Sequence, residues 1–211
     1  MIYGHGDDLW RYAGKVKHNF STNIRASFDF SPLMEILCAD LATLASYPEP
    51  EPVSVEKAIA KINGISPEEV MVTNGATESI YLIARTGAKC HSAIVIPTFR
   101  EYQDACRMNG HRISFVTTLA EIPADCQMVW LCNPNNPTGY LYTAEEMNRI
   151  RDLVKRHDLF LFSDEVYREF CYTGAPYISA FHLEGIEDNV VLIDSVSKRY
   201  NECGIRIGAL I

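Results

Sequence analysis

The side chains best suited to chemistry stand near the end of the chain, in Asp194-Ser195-Val196-Ser197-Lys198-Arg199-Tyr200-Asn201-Glu202-Cys203-Gly204-Ile205-Arg206-Ile207-Gly208. They follow Val190-Val191-Leu192-Ile193, a wholly apolar run that predicts a buried strand. Open α/β sheets bind ligands beyond the carboxyl ends of their strands. At such a place Lys198 is an amine able to form a Schiff base with a carbonyl, and Arg206 is a guanidinium able to fork onto a phosphate. Ser195 and Ser197 add two hydroxyls. A single lysine after a strand is usually a solvated surface group, so the weight of the reading rests on its company.

That company lies upstream. Asp164 follows the apolar run Leu159-Phe160-Leu161-Phe162. A carboxylate buried there is costly unless a cation pairs with it; a strand-end cap is the plainer alternative. Asn74-Gly75-Ala76-Thr77 opens a helix expected over about 76–86. Small residues at a helix start leave N–H groups free to meet an anion, and the helix dipole favours one there, although the same residues serve simply as a cap. Cys132-Asn133-Pro134-Asn135-Asn136-Pro137-Thr138-Gly139 reads by itself as a tight turn.

The elements that must hold these residues alternate. Strands are expected at Val70-Met71-Val72, 93–96, 113–116, 128–131, 159–162 and 190–193, and Arg206 sits on an alternating strand, Ile205 to Ala209. Helices are expected at about 76–86, from Phe99 to Asn109, and after the capping box Thr143-Ala144-Glu145-Glu146. Strands alternating with helices imply an α/β fold with a mostly parallel sheet covered on both faces. Residues 1–30, with Gly4-His5-Gly6 and the aromatics Trp10, Tyr12, Phe20, Phe28 and Phe30, read as an arm lying on another surface. Ser31-Pro32 then starts a helix, Ser31 as N-cap, with Leu33, Leu37, Leu41 and Leu44 on one face. Tyr47-Pro48-Glu49-Pro50-Glu51-Pro52 holds the chain extended, and Ser54 caps a helix ended by Asn63-Gly64.

Length, composition and charge narrow the class. The 211 residues are 47% hydrophobic and 22% charged, as in ordinary soluble globular domains. A net charge of −8 argues against a nucleic-acid or anionic-membrane surface. Seven scattered cysteines without a Cys-x-x-Cys pair fit reduced thiols in a cytoplasmic protein. The six histidines show no paired metal spacing, and no signal peptide or membrane-length apolar run is evident.

Taken together these segments resemble the fold-type I pyridoxal-phosphate enzymes, in particular the class I and II aminotransferases. Residues 1 to about 130 are similar to histidinol-phosphate aminotransferases and threonine-phosphate decarboxylases. From about 133 onward the chain is similar to aspartate-type aminotransferases, through Phe162-Ser163-Asp164-Glu165-Val166-Tyr167 and Ser195-Val196-Ser197-Lys198. The resemblance implies a three-layer large domain over residues 31–211. The family's C-terminal small domain, which usually supplies the substrate-carboxylate arginine, is absent or truncated in this reading.

The resemblance also implies roles. Lys198 is the Schiff-base lysine and then the proton carrier at the substrate Cα. Asp164 pairs with the cofactor's ring nitrogen, while Tyr167 and Asn136 donate to its ring oxygen. Tyr102, in Pro97-Thr98-Phe99-Arg100-Glu101-Tyr102, is expected to stack on the ring in preference to Phe99. Gly75, Ala76, Thr77, Ser195, Ser197 and Arg206 hold the phosphate. Tyr47 reaches the phosphate from a partner subunit, implying a homodimer, and Asn23 lies near the substrate. The activity implied is transfer of an amino group between an amino acid and a 2-oxo acid. Decarboxylation of a phosphorylated amino acid on the same scaffold and a non-catalytic cofactor-binding fragment are the alternatives.

Overall fold

The computed structural model describes residues 9–12, 14–24 and 29–211; Gly4-His5-Gly6 and Phe28 lie outside them. Seven strands form one sheet: β1 (Met71–Thr73), β2 (His91–Val95), β3 (Arg112–Val116), β4 (Met128–Cys132), β5 (Phe160–Asp164), β6 (Val190–Ser195) and β7 (Gly208–Leu210). Their order is β1-β7-β6-β5-β4-β2-β3, and only β7 runs against the direction of the other six. The runs of β2, β4, β5 and β6 lie inside this sheet and are largely covered on both faces, Phe160 excepted, while β1 and β3 form its edges.

Helices cover both faces. Helices α3 (Ala76–Thr86) and α4 (Glu101–Met108) pack Ile80, Ile83 and Tyr102 against Ile94, Trp130, Phe162 and Ile193. On the other face α5 (Ala144–His157) sets Met147, Ile150 and Val154 against Val129, Leu131 and Leu161. Helix α5 begins at the expected capping box: Thr143 Oγ1 accepts from the Glu146 amide at 3.2 Å, and Glu146 Oε2 accepts from the Thr143 amide at 2.8 Å. After β2 the chain goes outward to β3; after β4 it goes the opposite way to β5 and β6. Strand order thus reverses between β2 and β4, and a crevice opens beyond the carboxyl ends of the strands there.

Two caps differ from expectation. Helix α1 (Ser31–Ala39) has Phe30 at its N-cap, and Asp29 Oδ1 accepts from the Ser31 amide at 2.9 Å. Helix α2 (Val53–Asn63) begins one residue before Ser54, whose amide donates to Glu49 Oε2 at 3.1 Å. In each case a carboxylate two or five residues upstream reaches the free amide first. The four leucines do not share one helix: α1 ends at Ala39, and Leu41 and Leu44 fall in the short 3-10 helix Leu41–Ala45 that follows. Leu37, Leu41 and Leu44 are exposed, and no residue of α1 is buried. Arg206 is not on a strand. It stands at φ 61°, and β7 begins two residues later at Gly208. Trp10 and Phe20, expected to lie on another surface, are likewise exposed.

Candidate active site

The carboxyl-terminal ends of β2 to β6 and the start of α3 line a cavity of about 1100 Å³. Strand β5 delivers Asp164, which is only 3% exposed. Its Oδ2 accepts from the Tyr102 hydroxyl at 2.7 Å, and its Oδ1 from the Val166 amide at 3.2 Å. Burial, the largest cause, pushes the carboxyl up to about 6; the Tyr102 and Val166 donations oppose this, and the carboxylates of Asp194 and Glu165 reinforce it. Among the described residues no ion pair reaches Asp164.

Strand β6 delivers Ser195, Ser197 and Lys198, the last two in α6 (Val196–Arg199), a single turn. Ser195 Oγ caps that turn by accepting from the Ser197 amide at 3.1 Å, and it donates to the Ile207 carbonyl at 3.0 Å. Lys198 Nζ lies 5.9 Å from the centroid of the Tyr167 ring. The residues that follow these two anchor their loops from behind. Arg168 and Arg199 both reach Asp194 Oδ2, at 2.8 and 3.3 Å, so one carboxylate ties the Tyr167 loop to the Lys198 turn.

The third wall is an anion cradle. Gly75, at φ 80°, precedes α3 and leaves the Ala76 and Thr77 amides at the helix start. A Cβ on Gly75 would overlap the Arg206 guanidinium, and one on Gly208 would lie 2.6 Å from the Gly75 carbonyl carbon and 2.7 Å from the Ala76 nitrogen. Two glycines therefore let β7 and the start of α3 close up until Arg206 lies over the helix N-terminus. Arg206 Nη1 donates to the Cys203 carbonyl at 3.0 Å and to Ser197 Oγ at 3.5 Å.

Most residues singled out from the sequence meet in this cavity. Asn23, Ala76, Thr77, Asn136, Asp164, Tyr167, Ser195, Ser197, Lys198 and Arg206 all line it, and Asn23 Nδ2 donates to the Tyr167 hydroxyl at 3.3 Å. Burial raises the Tyr167 phenol to about 12, with the Asn23 bond opposing. Tyr47 is fully exposed and does not reach the cavity of its own chain. Tyr102 departs from expectation. It is 1% exposed, stacks on Trp130 at 5.6 Å and meets Phe99 edge-on at 5.8 Å. It is also on the cavity lining, but its ring stacks on Trp130 and its hydroxyl is committed to Asp164. Phe99 is the half-buried aromatic on the cavity wall. A larger groove of about 1370 Å³ runs beside α5, but neither Asp164 nor Lys198 lines it.

An amine, a buried carboxylate without a cation, and an anion cradle in one cavity suit a ligand with a carbonyl, a basic nitrogen and a phosphate. The sequence profile of aminotransferase class I and II matches residues 33–211. The chain belongs to this family. Among its relatives, histidinol-phosphate aminotransferase of Lactiplantibacillus plantarum is 31% identical over 177 residues, 77% of this chain and 49% of that protein. That match is longer than either half of the chain, so the likeness runs across residue 133. Aspartate aminotransferase of Bacillus subtilis is 27% identical over 67% of this chain and 40% of its own length. The structure of L-threonine-O-3-phosphate decarboxylase from Porphyromonas gingivalis superposes with a TM-score of 0.83 at 33% identity, covering 91% of this chain and 59% of that one. The chain thus spans about half the length of the curated relatives it matches. Class I and II aminotransferases depend on pyridoxal phosphate, and the cradle opened by Gly75 and Gly208, with Asp164 lacking a cation, fits that cofactor.

Proposed function

We propose that the chain is the cofactor-binding part of a pyridoxal-phosphate-dependent aminotransferase that moves an amino group between an amino acid and a 2-oxo acid. One observation carries the reading: Lys198, buried Asp164 and the cradle of Ala76, Thr77, Ser197 and Arg206 converge on a single cavity. When bound, the cofactor supplies an aldehyde for an amine to capture and a cationic ring that accepts the electrons of a substrate carbanion.

The chain's own residues divide the remaining work. Arg206, Ser195, Ser197 and the first amides of α3 hold a phosphate by charge-assisted and helix-terminal hydrogen bonds. Asp164 would hold the proton on a ring nitrogen, because its buried charge has two hydrogen bonds but no cation to pair with among the described residues. Asn136 and Tyr167 hold an oxygen on the ring, and Asn23 orients the Tyr167 hydroxyl. Phe99, on the cavity wall, would help exclude water from a bound ring. Lys198 Nζ would hold the cofactor through its aldehyde, and as a free amine it would carry the proton at the substrate Cα.

We further propose a homodimer. Support comes from Tyr47, wholly exposed, and from the bare apolar residues Met34, Ile36, Leu41 and Leu44 beside it; contiguous exposed apolar surface marks an interaction site. A second copy would cover this face and carry Tyr47 to the partner's phosphate. Residues 1–30 as an arm and 31–211 as the large domain remain part of the proposal, as does a cytoplasmic setting, supported by seven free cysteines.

A second reading, decarboxylation of a phosphorylated amino acid, is favoured by the likeness to the P. gingivalis decarboxylase. The purified chain, supplied with pyridoxal phosphate, an amino acid panel and a 2-oxo acid, separates the two. New amino acid and oxo acid without carbon dioxide support transfer. Carbon dioxide release without oxo acid supports decarboxylation and overturns the first reading. K198A should abolish either activity, and full turnover in that variant sinks both.

A further inference from the structure

Two nucleophilic side chains meet on the cavity wall. Lys198 Nζ lies 3.9 Å from Cys203 Sγ, whose thiol donates to the Ser197 carbonyl at 3.1 Å. They come together because α6 is one turn long and the chain then reverses through Asn201, at φ 58°. Both are partly exposed and both line the open cavity, so a small solute reaches them. Cys106 and Cys126, by contrast, are buried and do not line the cavity.

We propose that Cys203 and Lys198 form a peroxide-sensitive pair, in which oxidised Cys203 captures the lysine amine in a reversible nitrogen–sulfur bond. Peroxide transfers one oxygen to the Cys203 thiol, which becomes a sulfenic acid while the peroxide is reduced to water. The neutral Lys198 amine attacks that sulfur. The N–S bond forms, the S–O bond breaks, and the departing hydroxide leaves with a nitrogen proton as a second water. Sulfur is oxidised by two electrons, and the chain loses two hydrogens. Closing the gap needs only rotation about side-chain torsions, which have several staggered wells. A dithiol returns two electrons and restores thiol and amine. The consequence for activity rests on the reading of Lys198 as cofactor anchor: an amine held by the cofactor is not free to attack, so the modification acts on the cofactor-free chain.

The test is mass spectrometry of the 211-residue chain treated with hydrogen peroxide. The expected result is an intact mass lower by two hydrogens and a tryptic species joining the Lys198 and Cys203 peptides, both reversed by dithiothreitol. C203S and K198R should yield no joined species. Recovery of Cys203 as sulfinic or sulfonic acid with Lys198 unlinked, or persistence of the joined species in C203S, overturns the proposal. Pyridoxal phosphate added before peroxide should suppress the joined species, and peroxide added first should prevent the visible absorption band. If the untreated chain acquires no band, the cofactor reading has failed, and the linkage is decided by the masses alone.

Discussion

Replacing Asp164 by asparagine tests the electrostatics of the site while keeping its shape. Burial raises this carboxyl from 3.8 to about 6. A raised carboxyl binds its proton more readily in the folded chain than in the unfolded one. Its contribution to stability is therefore fully present below the lower value and is lost as pH climbs through the higher one. At about 1.4 kcal/mol for each pH unit separating the two states, the interval from 3.8 to about 6 corresponds to about 3 kcal/mol. Asparagine carries no charge and keeps one acceptor oxygen, which serves either the Tyr102 hydroxyl or the Val166 amide but not both. That loss is the same at every pH, so the pH dependence alone reads the charge. In the ligand-free state D164N should therefore gain on the parent chain as pH rises from about 4 to about 7, by up to about 3 kcal/mol. Urea unfolding followed by the fluorescence of Trp130, which is buried, reads the difference. Pyridoxal phosphate should reverse the ranking, because a cation over Asp164 stabilises only the parent. Parallel pH profiles for the two chains would refute the claim that Asp164 carries an uncompensated buried charge.

Three further substitutions follow. Y102F removes the donor whose bond lowers the Asp164 carboxyl, so the carboxyl should rise further. The variant should lose about 1.5–3 kcal/mol at pH above 7, where the acceptor is charged, and less near pH 5, as compared by urea midpoints. G75A places a Cβ against the Arg206 guanidinium at φ 80°; a melting curve should report a cost of about 1–3 kcal/mol, with loss of stabilisation by pyridoxal phosphate. R206A should weaken pyridoxal phosphate binding by about 10- to 100-fold, from a charge-assisted bond of about 1.5–3 kcal/mol, and leave the phosphate-free aldehyde pyridoxal unaffected in a fluorescence titration.

The sheet was legible because burial on both faces writes itself as unbroken apolar runs, such as Val190 to Ile193 and Leu159 to Phe162. The cavity was legible because its polar residues follow those runs directly. What escaped depends on packing between distant segments. Ile205-Arg206-Ile207 alternates like a strand, yet Gly208 pressed onto the Gly75 backbone forces the turn before it, with Arg206 at φ 61°. Phe99 and Tyr102 are three residues apart at the start of one helix, and sequence does not say which ring turns inward. The answer is set by Trp130, on a strand 28 residues later, against which Tyr102 stacks. The helix starts at α1 and α2 were misplaced because Asp29 and Glu49, not the adjacent serines, take the free amides. The approach of Cys203 to Lys198 left no trace in the spacing, since it depends on the reversal at Asn201.

The central claim is that Lys198 is the amine that captures the cofactor aldehyde. Borohydride reduction of the chain after addition of pyridoxal phosphate, followed by tryptic mapping, tests it directly. The account predicts one cofactor mass, attached to the peptide containing Lys198 and missing from K198A. Attachment at another lysine such as Lys89 or Lys155, or none at all under conditions where the chain is folded, would contradict it.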